Sequence, residues 1–285
     1  MRKDGANQTN PNETRPMPIA QPGAPRFIFT ITGGRTGTEW LARFLGASLG
    51  VDAIHELLGI DDFGTRMPDI RLMRIFNERG NTDAVRAFWA GKLAEIASLP
   101  CYVETNHTLA KCGLVENLAA SPLAPEAMLI VLRRDLAAQC KSYLARGDFL
   151  NVTINWQWYL HATYPNAILN PQPFLPMGQL GHALWYTYEM DLRQNWYLAN
   201  YADTLRFVDV RLEDIVCEAG ARRLLDDLGF ADRAPVLPPA SNVGARKLDP
   251  RAAAQVDEVM TRIDYDPAAL LAAYARDGRT LALAA

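Results

Sequence analysis

Residues Arg26 to Leu41 read Arg-Phe-Ile-Phe-Thr-Ile-Thr-Gly-Gly-Arg-Thr-Gly-Thr-Glu-Trp-Leu, and no other stretch of the 285-residue chain restricts its fold as much. The apolar, β-branched run Phe27 to Ile31 has the composition of a buried strand. It breaks into a glycine-bearing turn, and helical periodicity resumes at Trp40, Leu41, Phe44 and Leu45. A strand, a tight turn and a helix start together make an anion site, because the free N–H groups of the first helical turn and the positive end of the helix dipole converge. Gly33, Gly34 and Gly37 allow the backbone to approach a phosphate closely, Thr36 and Thr38 supply hydroxyls, and Arg35 supplies a permanent charge.

The rest of the chain supports a layered α/β fold. Further strand candidates are Val51 to Ile54, Cys101 to Glu104, Met128 to Leu132 and Leu205 to Val210. Helical patterns fall between and after them at Asp83 to Ala97, Leu109 to Ala120, Leu136 to Arg146 and Asp214 to Leu228. Short buried strands alternating with amphipathic helices predict a three-layer sandwich with a central, mostly parallel sheet. Ligands in such sheets bind beyond the carboxyl ends of the strands. The turns Gly33 to Thr38, Thr105 to His107 and Arg133 to Asp135 all fall there and are expected to face one cleft.

Bulk properties narrow the class. Hydrophobic content of 49% is ample for a large core, and a net charge of −3 argues against a protein that holds nucleic acid by general electrostatic attraction. Cys101, Cys112, Cys140 and Cys217 show no CxxC pair or zinc-ligand spacing, and buried free thiols in a reducing compartment are the expectation. Residues 1–25, rich in Asn, Gln, Thr and Pro, read as a disordered tail without an apolar signal-peptide core. The Asn-x-Thr patterns at Asn7 and Asn12 then count as chance matches. With no run long enough to span a bilayer, the expectation is one cytoplasmic domain over residues 26–285.

Residues 148–201 differ in character, being crowded with Trp156, Trp158, Trp185, Trp196 and tyrosines. The closely spaced Pro171, Pro173 and Pro176 forbid a helix through the middle. Two readings stand together: an insertion packing aromatic rings over the sheet, and a cap supplying an acceptor pocket.

The Gly33 to Thr38 turn is not a nucleoside-triphosphate P-loop, which requires Lys directly after the last Gly. Gly37 is followed by Thr38, and the cation, Arg35, precedes the glycine by two residues. That order resembles the 5′-phosphosulfate loop of sulfotransferases, in which a Lys or Arg precedes Ser/Thr-Gly-Thr and an apolar pair such as Trp-Leu follows. Glu39 stands where the family usually carries a second hydroxyl residue. A second element, Ile130 to Tyr143, again runs from strand to helix. Arg134 at the strand end, Ser142 about two turns on and Tyr143 after it resemble the pair that holds the 3′-phosphate in that family, with Leu136 replacing a usual Pro. The late loop Ser241 to Lys247, ending in Arg246 and Lys247, resembles the family's basic closure over the 3′-phosphate. Leu205 to Asp214 resembles its late strand and (Arg/Tyr)-x-Glu-Asp turn.

The resemblance implies a P-loop-like α/β fold and a metal-free transfer of a sulfuryl group from 3′-phosphoadenosine 5′-phosphosulfate to a hydroxyl or amine acceptor. The acceptor is a small molecule, a sugar or a peptide. Arg35 corresponds to the family's catalytic cation, and two residues compete as base. Glu56 lies where carbohydrate and tyrosylprotein sulfotransferases carry an acidic residue, and His107 resembles the His base of the small-molecule cytosolic enzymes. His161 and His182 are expected as structural or acceptor contacts. No His/Asp/Glu cluster has metal-ligand spacing. Two other readings of the same fold are a nucleotide or small-molecule kinase and a non-catalytic nucleotide-binding module.

Overall fold

The structure, a computed structural model, describes residues 23–57, 59–150, 157–239 and 247–281. Five strands form one parallel sheet: β1 (Phe27–Ile31), β2 (Ala53–Ile54), β3 (Tyr102–Glu104), β4 (Ala127–Arg133) and β5 (Arg206–Arg211), in the order β2-β3-β1-β4-β5. β1 is central, with Phe27 opposite Tyr102 of β3 on one side and Ala127 of β4 on the other. Every residue of β1 is buried, as its unbroken apolar run requires of a parallel strand covered on both faces.

Alternate residues of the strands feed two separate cores. Phe27, Phe29, Ile31, Leu129 and Val131 belong to the larger one, and Ile28, Met128, Ile130 and Leu132 to the smaller. The smaller core is closed by α1 (Thr38–Leu49) through Trp40, Leu41, Phe44 and Leu45. The larger is covered by α2 (Ile70–Arg79), α3 (Asp83–Ala97), α4 (Leu114–Ala119), α5 (Leu136–Arg146) and the long α6 (Gly178–Tyr201). α7 (Leu212–Ile215) and α8 (Glu218–Asp227) return to the smaller core, and α9 (Pro250–Arg262) and α10 (Pro267–Arg276) pack Val256 and Tyr274 into the larger. The sandwich is thus α/β with helices on both faces of a central sheet.

Four departures from the sequence pattern have identifiable causes. The helix expected over Leu109 to Ala120 is broken at Gly113, whose φ of 89° ends a 3₁₀ turn (Leu109–Cys112) before α4 begins. The helix expected over Asp214 to Leu228 divides at Cys217, which is extended (φ −111°, ψ 159°) and caps α8. Cys217 is exposed and Cys101 only partly covered, whereas Cys112 and Cys140 are buried, so the expectation of four buried thiols fails for two. The second half of the aromatic segment is one long helix whose rings join the core over the sheet, as the packing reading of that segment expects, although the sequence pattern predicts no helix there. α6 buries Trp185, Tyr186, Trp196 and Tyr197 against the sheet.

Candidate functional site

The chain between β1 and α1 is coiled by three residues with positive φ: Gly34 (89°), Arg35 (56°) and Gly37 (87°). Among the described residues Arg35 is the one non-glycine with positive φ, a conformation that costs an ordinary side chain about 1–2 kcal/mol. Gly37 is constrained by both its positive φ and its surroundings. A Cβ there would lie 2.6 Å from Leu212 Cδ1, because α7 packs directly on the turn.

The loop is held from behind by its carbonyls. Gly33 accepts from Tyr186 Oη (2.7 Å) and Tyr143 Oη (3.0 Å). Gly34 accepts from Gln139 Nε2 (2.8 Å) and Tyr143 Oη (2.8 Å), and Arg35 from Arg134 Nη1 (2.8 Å). Since C=O and N–H of one peptide unit point in opposite directions, these bonds to α5, α6 and the turn before α5 direct the N–H groups of Arg35 and Thr36 the other way. Thr36 Oγ1 pairs with Thr32 Oγ1 inside the loop, and Thr105 Oγ1 fastens β3 to the start of α1 at the Thr38 carbonyl (2.8 Å).

The two expected anion grips meet in one network. Arg35 Nε donates to Ser142 Oγ at 3.1 Å, while Arg134 reaches the Arg35 carbonyl. The neighbouring Arg133 is instead held by Asp191 and Asp209, both at 2.7 Å, so of the two adjacent arginines Arg134 is the one directed at the loop. Glu213, from the late Glu-Asp turn, accepts from the Asp135 N–H (3.1 Å) and braces the start of α5. Glu39 forms an i,i+4 ion pair with Arg43. Arg246 lies outside the described residues. Lys247 is exposed, and Pro238 upstream accepts from Trp40 Nε1 of α1 (3.3 Å).

Beside the loop lies a cavity of about 390 Å³ whose walls include Gly34, Arg35, Thr38, Glu56, His107 and Arg146. Phe63, Met67, Trp158 and Tyr159 add an apolar, aromatic side. Both base candidates face this cavity and each other, with His107 Nε2 3.6 Å from Glu56 Oε1. His55 stands on the other flank of Glu56 at 3.9 Å and is anchored through Nδ1 to the Thr105 carbonyl (2.9 Å). Burial first, and the nearby Lys111 second, hold the His107 imidazole well below its ordinary range, so it is neutral near pH 7. His161 and His182 do not line this cavity. His161 bonds Thr163 Oγ1 (2.7 Å) beside a second cavity of about 370 Å³, and His182 bonds the Gly178 carbonyl (2.9 Å). Among the described residues no group of three His, Cys, Asp or Glu side chains could hold a metal ion.

Sequence reasoning missed Lys111, Gln139, Arg146 and Tyr186. Lys111 carried a signal: a lone cation in the apolar run Leu109-Ala110-Lys111-Cys112-Gly113-Leu114 must be buried or turned outward, and it is buried. The others lie on α5 and α6 with no motif to single them out. A scan against protein-family models finds no match to this chain, and no curated protein matches it.

Proposed function

We propose that this protein is a sulfotransferase that moves the sulfuryl group of 3′-phosphoadenosine 5′-phosphosulfate to a hydroxyl or amine acceptor. The observation that carries the reading is the Arg134–Arg35–Ser142 network at the β1–α1 turn, adjoining a cavity that holds Glu56 and His107. A central β1 flanked by β3 and β4, with the anion turn at its carboxyl end, supports a P-loop-like arrangement of the donor site.

In this reading the 5′-phosphosulfate rests on the loop N–H groups, and the 3′-phosphate is taken by Arg134 and Ser142. The acceptor oxygen attacks sulfur in line, its bond to sulfur forms, and the bond from sulfur to the 5′-phosphate oxygen breaks with the electron pair leaving on the bisphosphate. The acceptor proton passes to a base in the cavity. Arg35 stays charged throughout. Its Nε–H is engaged by Ser142, and its terminal nitrogens carry four further donors toward the charge that builds on the leaving oxygen. Thr38 in place of Lys, and Glu39 paired with Arg43, fit a triphosphate poorly and weigh against a kinase.

Calorimetry decides the matter. Adenosine 3′,5′-bisphosphate should bind without magnesium, and Arg134→Ala should weaken it about 10- to 100-fold, the loss of a charged hydrogen bond. Equal affinity for AMP, or magnesium-dependent binding of ATP in preference, would overturn the reading.

A further inference from the structure

Lys111 is fully buried, and its ammonium group has three neighbours: the Trp158 carbonyl (2.6 Å), Tyr186 Oη (3.0 Å) and His107 Nδ1 (2.9 Å). The hydrogen of each is accounted for. A carbonyl only accepts. The Tyr186 hydroxyl gives its own proton to the Gly33 carbonyl, so toward Lys111 it accepts. An ammonium group has three protons and no lone pair, which leaves one proton for His107 Nδ1 and requires a lone pair there. A neutral imidazole that accepts at Nδ1 carries its proton at Nε2.

The other side of the ring points to the same tautomer. Nε2 faces Glu56 Oε1 at 3.6 Å, roughly 0.6 Å beyond an ordinary N–H···O bond. A carboxylate facing a ring nitrogen is satisfied by an N–H and repelled by a lone pair. Tyr159 stacks on the ring (centroids 5.6 Å) and restricts its rotation. Arg35 and Arg146 lie toward His107 and favour its neutral form, while burial and Arg193 lower Lys111 and Glu56 raises it.

We propose that Lys111 is a positioning residue that fixes His107 as its Nε2–H tautomer, so that His107 presents a donor to Glu56 and Glu56 is left as the proton acceptor of the site. The tautomer follows from this geometry with Lys111 as an ammonium, and because burial lowers Lys111 from 10.5 to about 7 it is read on the acid side of that value. Its consequence for the base rests on the sulfuryl-transfer reading above. When the acceptor hydroxyl attacks, its proton goes to the Glu56 carboxylate while His107 keeps its own. The same Lys111 links to the donor loop through Tyr186 and the Gly33 carbonyl, so one buried cation holds both halves of the site.

The test is ¹⁵N correlation spectroscopy of the histidine rings in the full chain at pH 6, with His107 assigned by the signal lost in His107→Gln. Nε2 should appear in the protonated, pyrrole-type range and Nδ1 in the lone-pair, pyridine-type range. In Lys111→Met the fixed pattern should give way to the Nδ1–H form or to averaging between the two. A parent protein showing Nδ1–H would overturn the proposal even if Lys111→Met fails to fold. So would Lys111→Met with the parent pattern intact. Neither readout depends on nucleotide binding, so a failure of the sulfotransferase reading in calorimetry would be separate and visible as such.

Discussion

Arg134 on the β4–α5 turn donates through Nη1 to the backbone carbonyl of Arg35 at 2.8 Å, joining the residues assigned to the two ends of the nucleotide. In the reading proposed above, the residue that grips the 3′-phosphate is therefore also a support for the 5′ loop. Removing the Arg134 side chain strips a support from the loop, and removing the Arg35 side chain leaves that backbone carbonyl but frees Ser142 of the same grip, so their effects should not add. A double-mutant cycle of Arg35→Ala and Arg134→Ala, read by calorimetry with adenosine 3′,5′-bisphosphate, should give a coupling of about 1 kcal/mol or more. Additive losses would show that the two grips work independently.

Gly37 meets two constraints at once, a φ of 87° and the Leu212 side chain 2.6 Å from where a Cβ would stand. Gly37→Ala should lower stability by about 1–3 kcal/mol in urea denaturation. Adding Leu212→Ala removes the collision but not the conformational cost, so the double variant should regain part of what an independent Leu212→Ala loss would predict. Strict additivity would mean that α7 moves aside freely.

Glu56 and His107 separate by turnover. With release of bisphosphate measured against a defined acceptor panel of a phenol, a pyranoside and a primary amine, Glu56→Gln should reduce kcat about 10²- to 10⁴-fold with donor affinity kept. His107→Gln should cost less, since it removes an orienting donor and leaves the carboxylate. The reverse ranking would return the base role to His107.

Glu116 gives the fold a pH signature. Its carboxylate is buried beside Tyr197, and burial raises it from 4.5 to about 7. The folded state then holds a proton that the unfolded state releases between those values, so its stability falls as pH rises from about 4.5 to about 7 and stays lower above. A shift of this size corresponds to roughly 3 kcal/mol. Glu116→Gln should flatten that part of the stability curve in urea titrations, and an unchanged slope would assign the pH dependence elsewhere.

What was legible in the sequence was what depends on local patterning. The Phe27–Ile31 run, the glycines of the turn, and Arg134 with Ser142 each announce themselves within a few residues, and the structure brings them together. Glu56 and His107 were visible as candidates, but their convergence on one cavity depends on β2 and β3 being neighbours, a tertiary fact. α6 was hidden by its composition. A helix buried on most of its circumference shows little amphipathic contrast, and its aromatic residues read as an insertion. Lys111 stood out as a lone cation in an apolar run, but its place against Trp158 and Tyr186 is a tertiary fact.

β2 is two residues long, lies at the edge of the sheet, and leads directly into His55 and Glu56. The donor loop, by contrast, springs from the central strand and is braced by α5, α6 and α7. In the sulfotransferase reading proposed above, the donor side of the site is thereby built on the most heavily braced part of the fold. The wall facing the acceptor, from Glu56 through Phe63 to Met67, hangs from its lightest strand. If the proposed reading holds, such a division predicts that acceptor preference is easier to change than donor binding. Libraries confined to residues 59–67 are the natural starting point for redirecting it to new acceptors.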